Sequence, residues 1–254
     1  MVATSRGLNP NAVHLWVFPL DVSDEEREKL LPILSPEELR RARRFHFEHD
    51  RQRYVVGRGR LREILAFYLV TPPETIIFAY NEFGKPFVAS PVTSPLHFNL
   101  SHSDAWGVVG ITQLPKIGVD IEKIKDTVDI LAIARRFFAA GEVSALLKAP
   151  THQQREFFFS CWTRKEAFIK AIGRGLTFSL QDFEVTIDPQ EVHPRLTFLT
   201  PEIPGLQQWH FFSFEPLERF TAAAAVFSHP DVQPEFKIFH YQNMREPLWK
   251  PLLD

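Results

Sequence analysis

Between residues 12 and 20 the side chains alternate cleanly. Val13, Leu15 and Val17 fall on one side of an extended chain and His14, Trp16 and Phe18 on the other. Such alternation predicts a strand. Ser23-Asp24-Glu25-Glu26 and Ser35-Pro36-Glu37-Glu38 then read as helix starts. Each has a hydroxyl cap and acids in the first turn, and the second has Pro at its first helical position. The spacing predicts helix over 36–47 and again over 50–69, ending before Pro72-Pro73. The period then shortens. Residues 76–80 and 85–88 read as strands about the turn Asn81-Glu82-Phe83-Gly84, and 96–100, 107–112 and 117–122 as three more.

The second half repeats that order. Helical spacing covers 129–138, 141–147 and 151–172, followed by strands at 183–187, 196–199, 209–214 and 221–227. Helices followed by antiparallel strands, twice, predict two α+β units of similar plan. Loose echoes accompany this: Arg43-Arg44-Phe45 and Gly57-Arg58-Gly59 against Arg155-Glu156-Phe157 and Gly173-Arg174-Gly175. The expected division is an N-terminal α+β subdomain at 1–113, a C-terminal one at 114–230, and a tail at 231–254 with no period, lying over the surface.

The 254 residues, 44% of them hydrophobic, suffice for two cores, and 24 Phe against 2 Met point to aromatic packing. A net charge of −2 gives no global pull toward nucleic acid or an anionic membrane, so an anionic ligand needs a local basic cluster. A single cysteine, Cys161, cannot make an internal disulfide. The first residues lack the apolar run of a signal peptide, and the apolar stretch at 222–227 is too short to span a bilayer. A cytoplasmic protein is the expectation.

Three segments carry chemistry. In Ile117-Gly118-Val119-Asp120-Ile121-Glu122, a strand puts Gly118, Asp120 and Glu122 on one face, the two carboxylates about 7 Å apart. Hard oxygens of this kind suit Mg²⁺, though an exposed acidic strand face looks the same. In Trp162-Thr163-Arg164-Lys165-Glu166-Ala167-Phe168-Ile169-Lys170, a helix puts Glu166 and Lys170 one turn apart on one face. They read either as a surface pair or as a third metal acid beside a cation aimed at phosphate. In Phe98-Asn99-Leu100-Ser101-His102-Ser103, two hydroxyls flank a histidine at a strand end, where phosphate oxygens can be held. Ser101 and His102 point to opposite faces, and no Gly-x-Ser-x-Gly elbow surrounds them, which argues against a serine hydrolase. Gly84-Lys85-Pro86 holds Lys85 at a rigid turn.

Taken in order, Gly84-Lys85-Pro86, the Phe98–Ser103 and Ile117–Glu122 segments and Trp162 to Lys170 resemble the Sfp-type 4′-phosphopantetheinyl transferases. The resemblance runs from about Val13 to Pro230, with support from Ser35-Pro36-Glu37 and Arg43-Arg44-Phe45. It implies a monomer of two similar α+β subdomains related by pseudo-twofold symmetry, with the active site in the cleft between them. It implies Mg²⁺, or Mn²⁺ in its place, with coenzyme A as co-substrate. The partners are an apo acyl carrier protein or peptidyl or aryl carrier domains of fatty acid, polyketide or nonribosomal peptide synthesis. Carried over position by position, Asp120, Glu122 and Glu166 match the metal acids, with Glu166 and Lys170 as catalytic groups. Arg41, Arg53, Lys85, Pro86, Ser101, His102, Lys165 and Lys170 fall at coenzyme A contacts, His102 toward the 3′-phosphate. Glu38 departs from the pattern, since some relatives carry a basic residue there. Lys123, Lys125, Arg135, Arg136, Phe137 and Phe138 follow the metal strand as candidates for docking an acidic carrier. Two other classes stand beside this reading: a module that binds a carrier or coenzyme A without chemistry, and another metal-dependent phosphate enzyme such as a pyrophosphate hydrolase.

Overall fold

The computed structural model describes residues 7–91, 96–201, 203 and 205–241. The chain runs β1 (Ala12–Pro19), α1 (Asp24–Leu30), α2 (Pro36–Ala42), α3 (Glu48–Leu69), β2 (Ile77–Tyr80), β3 (Pro86–Ser90), β4 (His97–Ser103) and β5 (Trp106–Thr112). It continues as β6 (Lys116–Lys123), α4 (Ile130–Phe137), α5 (Ala140–Lys148), α6 (Gln154–Ile172), β7 (Phe183–Val185), β8 (Leu196–Leu199), β9 (Trp209–Phe214), β10 (Phe220–Phe227) and β11 (Glu235–His240). The second series repeats the first: a strand, two short helices, one long helix, a hairpin, two strands. The sheets repeat as well, β1-β5-β4 and β6-β10-β9, both antiparallel, with β11 added beside β1. This is the two-unit α+β plan that the order of helices and strands predicts. No helix among the described residues is long and apolar enough to cross a membrane.

The two faces of β1 explain the layering. Val13, Leu15 and Val17 pack with Val108 against Ile117, Val119 and Ile121 of β6 and Ala222 and Ala224 of β10. On the reverse, Trp16 and Phe18 pack with Val109 and Ile111 against Leu61, Ile64 and Leu65 of α3. Beyond the second sheet, Ala167, Phe168 and Ala171 of α6 meet Ala223, Ala225 and Phe211. The result is helix, sheet, sheet, helix. Central strands are buried on both faces, which is why 222–227 reads as a continuous apolar run. The expected aromatic packing is present: the Phe168 ring lies 4.5 Å from Phe183 and 4.6 Å from Trp209.

Each unit is pinned by a buried acid. Glu38 closes a capping box with Ser35 and accepts from Arg58 Nε at 2.7 Å and Arg62 Nε at 2.8 Å. Arg62 then donates to the carbonyls of Pro73 and Ile76, at the foot of the β2–β3 hairpin. In the second unit Glu142 accepts from the Ala139 amide and from Lys165 Nζ, 2.6 Å from both its oxygens. Lys165 also donates to Phe183 O at the foot of β7–β8. Short helix, long helix and hairpin are thus tied at one point, twice. The sequence echoes do not mark this repeat. Gly57 and Gly59 lie inside α3, whereas Gly173 is the left-handed cap of α6.

Two boundaries differ from expectation. The helix predicted over 36–47 ends at Ala42, and α3 begins afresh after Phe47, because Arg43 to Phe47 turn the chain. Residues 235–240, expected within an aperiodic tail, form β11, parallel to β1 from Ala12↔Glu235 to Val17↔His240. Charges among the apolar positions of such an edge strand hide its period. Phe239 stacks on Trp16 at 4.6 Å and Phe236 on Phe212 at 4.9 Å. Tyr241 donates to Glu63 at 2.8 Å beneath the Arg60 guanidinium. β11 therefore touches both units. Residues 242–254 lie outside the described ones.

His14 points into the α3 side of the first sheet. Tyr68 O–H donates to its Nδ1 at 2.7 Å and accepts from Trp16 Nε1 at 2.9 Å. Burial, helped by Lys237, lowers its pKa from the usual 6.5 to about 4. Between those values the unfolded chain binds the extra proton, so stability is lost as pH falls from 6.5 to 4. Urea unfolding of His14→Gln should lack that part of the acid slope; an unchanged slope would place the titrating group elsewhere.

Candidate active site at the junction of the two units

Helix α6 rests directly on β6 because residue 118 is glycine. A Cβ there would stand 2.0 Å from Ala167 O and 2.3 Å from Ala171 N. Asp120 is the next residue on that face of the strand. Glu166 and Lys170, one turn apart on α6, are brought beside it. Lys170 Nζ donates to Asp120 Oδ1 at 2.6 Å and to Ser101 Oγ at 2.8 Å, and Ser101 donates to the same Oδ1 at 2.8 Å. Ser103 donates to Glu122 Oε2 at 2.8 Å.

The electrostatics centre on Asp120, which is 3% exposed. Burial and then the Asp120 charge push the Glu122 carboxyl up to about 7, and the same causes raise Glu166. Both acids therefore lie within electrostatic reach of Asp120. Asp120 Oδ2 is buried with no hydrogen-bond partner among the described residues. Three carboxylates, one of them with an orphaned oxygen, are hard donors of the kind that a divalent cation such as Mg²⁺ takes. Among the described residues, however, no three such side chains are drawn up into one coordination shell. The nearest positive charge is Lys170.

The remaining candidates fall into three places. His102 is on the opposite face of β4 from Ser101 and lines a cavity of about 240 Å³ with Phe45, Arg53, Tyr54 and Asp104. Burial and then the Lys170 charge lower the His102 pKa. Arg53 is held there by Asp21, at 2.7 and 2.8 Å, and by Asp104 at 3.2 Å. Phe45 also borders a basic depression of about 590 Å³ formed by Arg40, Arg41 and Arg44. Arg41 is exposed, its guanidinium 5.8 Å from the centre of the Tyr54 ring. Lys85 and Pro86 sit beside the other end of β6. Lys85 Nζ donates to Ile117 O at 2.8 Å and Ala171 O at 3.2 Å, and Asn81 donates to Gly173 O. Burial lowers the Lys85 pKa to about 8. The turn thus clamps the C-terminal end of α6 to β6.

Several expectations are corrected. Lys165 is no ligand contact: it is fully buried, faces away from β6 and is consumed by Glu142 and Phe183 O. Ser101 donates its hydroxyl to Asp120 and accepts from Lys170, and strand β4 continues two residues past it. Glu38 is a buried structural acid, which explains its departure from a basic residue. Phe138 is stacked in the core on Phe158 and drops out of the docking surface. Lys123 is engaged by Asp104 at 2.5 Å; Lys125, Arg135 and Arg136 are exposed, and Phe137 is part-buried under Arg136. The sequence reading overlooked Asp21 and Asp104 around Arg53, Glu142, and the role of Asn99. A signal existed for Asn99: with Ser101 and Ser103 it makes a polar face at period two, opposite Phe98 and Leu100.

Both halves of the chain match families of known proteins. A family model described as the 4′-phosphopantetheinyl transferase superfamily matches residues 116–225, and one described as 4′-phosphopantetheinyl transferase, N-terminal, matches 21–113. The 4′-phosphopantetheinyl transferase HetI of Nostoc sp. (strain PCC 7120) is 36% identical over 230 residues, covering 90% of this chain and 92% of its own. The 4′-phosphopantetheinyl transferase Sfp of Bacillus subtilis (strain 168) is 31% identical, covering 88% and 95%. The 4′-phosphopantetheinyl transferase psf-1 of Bacillus pumilus is 42% identical over 167 residues, 65% of this chain and 70% of its own. All three relatives are transferases. The chain belongs to the 4′-phosphopantetheinyl transferase family.

The buried clasp separates structural from ligand-binding lysines. Lys165→Met leaves Glu142 buried without its cation and should cost about 3 kcal/mol in urea unfolding. Adding Glu142→Leu should recover much of that loss. Lys165→Met with native stability would return Lys165 to the set of ligand contacts.

Proposed function

We propose that the chain transfers the 4′-phosphopantetheine group of coenzyme A to a serine of an apo acyl, peptidyl or aryl carrier, working as a monomer in the cytoplasm. One observation supports this above the rest: Lys170, Asp120 and Ser101 meet at the junction of the units, with Glu122 and Glu166 within electrostatic reach. The carrier serine oxygen bonds to the β-phosphorus of coenzyme A. The bond from that phosphorus to the bridging oxygen breaks, and 3′,5′-ADP leaves. Such transfers need alignment and charge neutralisation more than covalent help. Asp120, Glu122 and Glu166 would hold Mg²⁺, which supplies positive charge at the pyrophosphate. Lys170 adds a point charge on the same side. Glu166 is the group placed to accept the serine proton, directly or through a water, since a cation on its carboxylate would keep its pKa low.

The nucleotide end fits the cavity of His102 and Arg53 and the basic depression of Arg40, Arg41 and Arg44 next to it. Both offer charge-assisted donors to a 3′-phosphate. Lys85 acts there indirectly, by holding α6 in place. An acidic carrier would approach over Lys125, Arg135 and Arg136, with the exposed part of Phe137 as its apolar contact.

The test is mass gain of apo-carriers incubated with coenzyme A and Mg²⁺, with and without chelator. Asp120→Ala should abolish transfer while the chain stays folded, and Lys170→Ala should slow it by about 100-fold or more. Transfer near the wild-type rate in Asp120→Ala would sink the assignment of the acids. His102→Ala should narrow the preference for coenzyme A over its 3′-dephospho form; an unchanged preference would move the 3′-phosphate elsewhere.

A further inference from the structure

Strands β4 and β6 lie side by side yet belong to different sheets. Three alternate side chains of β4 take the place of a ladder between them. Asn99 Oδ1 accepts from the Val119 amide at 2.8 Å. Ser101 donates to Asp120 at 2.8 Å. Ser103 donates to Glu122 Oε2 at 2.8 Å and accepts from the Lys123 amide at 3.2 Å. A serine hydroxyl has one proton, and that of Ser103 goes to Glu122. Its rotor is fixed at both ends, by a carboxylate and by a backbone amide of the same strand. Ser103 is buried, at 7% exposure, so water competes poorly for these bonds.

We propose that Ser103 is a positioning residue for the divalent-cation site, its hydroxyl holding Glu122 in the orientation that binding requires. The proposal rests on the reading of Asp120, Glu122 and Glu166 as cation ligands. The reason is geometric. Glu122 stands near the end of β6 on a flexible two-carbon stem, and burial alone leaves it several rotamers. Engaging Oε2 from β4 fixes where Oε1 points. The bond also joins the two units, because Ser103 belongs to the first sheet and Glu122 to the second. A donor so placed changes cation affinity without touching the cation.

The experiment measures Mn²⁺ binding to the whole chain, without coenzyme A, by loss of the free-ion EPR signal. Ser103→Thr and Ser103→Val differ by a hydroxyl against a methyl, so they separate the hydrogen bond from volume. Ser103→Val should raise the Mn²⁺ dissociation constant about 10-fold or more, and Ser103→Thr should stay within about twofold of wild type. In the transfer assay Ser103→Val should need more Mg²⁺ for half-activation and approach the wild-type rate at saturation. Ser103→Ala serves as a second hydroxyl-free variant if the valine chain does not fold. Wild-type affinity in Ser103→Val or Ser103→Ala, with Asp120→Asn weakened, overturns the proposal and leaves the acids in place. Equal loss in Ser103→Thr and Ser103→Val also overturns it, pointing to packing. Unchanged affinity in Asp120→Asn removes both the acids and the proposal.

Discussion

The seating of α6 on β6 at Gly118 is the contact on which the site depends. A methyl group at residue 118 would collide with the backbone of α6 at Ala167 and Ala171, and a helix backbone cannot yield as a side-chain tip does. With hydrogen there, the helix lies close enough for Glu166 and Lys170 to share space with Asp120. Small residues continue the accommodation, since Ala223 and Ala225 lie in the same core as Ala167 and Ala171. A larger residue on this face would lift the helix and carry Glu166 and Lys170 away from Asp120.

Close seating alone leaves α6 free to slide or turn. The Glu142–Lys165 clasp prevents this from the opposite side, and the Asn81 and Lys85 contacts hold the helix end. Buried ion pairs carry a desolvation cost that their mutual attraction offsets only when the other polar atoms are also satisfied. Here they are: Glu142 accepts from two backbone amides, and Lys165 donates to a carbonyl. The same device recurs with Glu38, Arg58 and Arg62 under α3. Both long helices are thereby registered against their hairpins by charge, while the aromatic and aliphatic cores supply the bulk of the burial.

The two sheets meet through side chains at β4 and β6 and are bridged a second time by β11, which stacks Phe239 on one unit and Phe236 on the other. The site sits at the first of these junctions. Its residues come from both units, so their relative placement matters as much as either fold. Burial and then the Asp120 charge raise Glu122 and Glu166, and an oxygen of Asp120 has no partner among the described residues. That arrangement carries an electrostatic cost in the bare protein.

Much was legible from residue order. Capping residues, turn signals and period placed nearly every element, because these are local effects within a few residues. Asp120 with Glu122, and Glu166 with Lys170, were each legible as pairs, since strand and helix geometry put them on one face. What sequence could not tell was which long-range partner each buried charge had chosen. Lys165 and Lys170 are both lysines on α6; one is locked in the core by Glu142 and the other faces Asp120. Nor could it tell that the Ser101 hydroxyl donates to Asp120. β11 was hidden because an edge strand takes its stability from pairing with β1, a partner more than two hundred residues away. Local chemistry wrote the elements and the kinds of group available. Only the packing of one long helix against one glycine decided which of those groups meet.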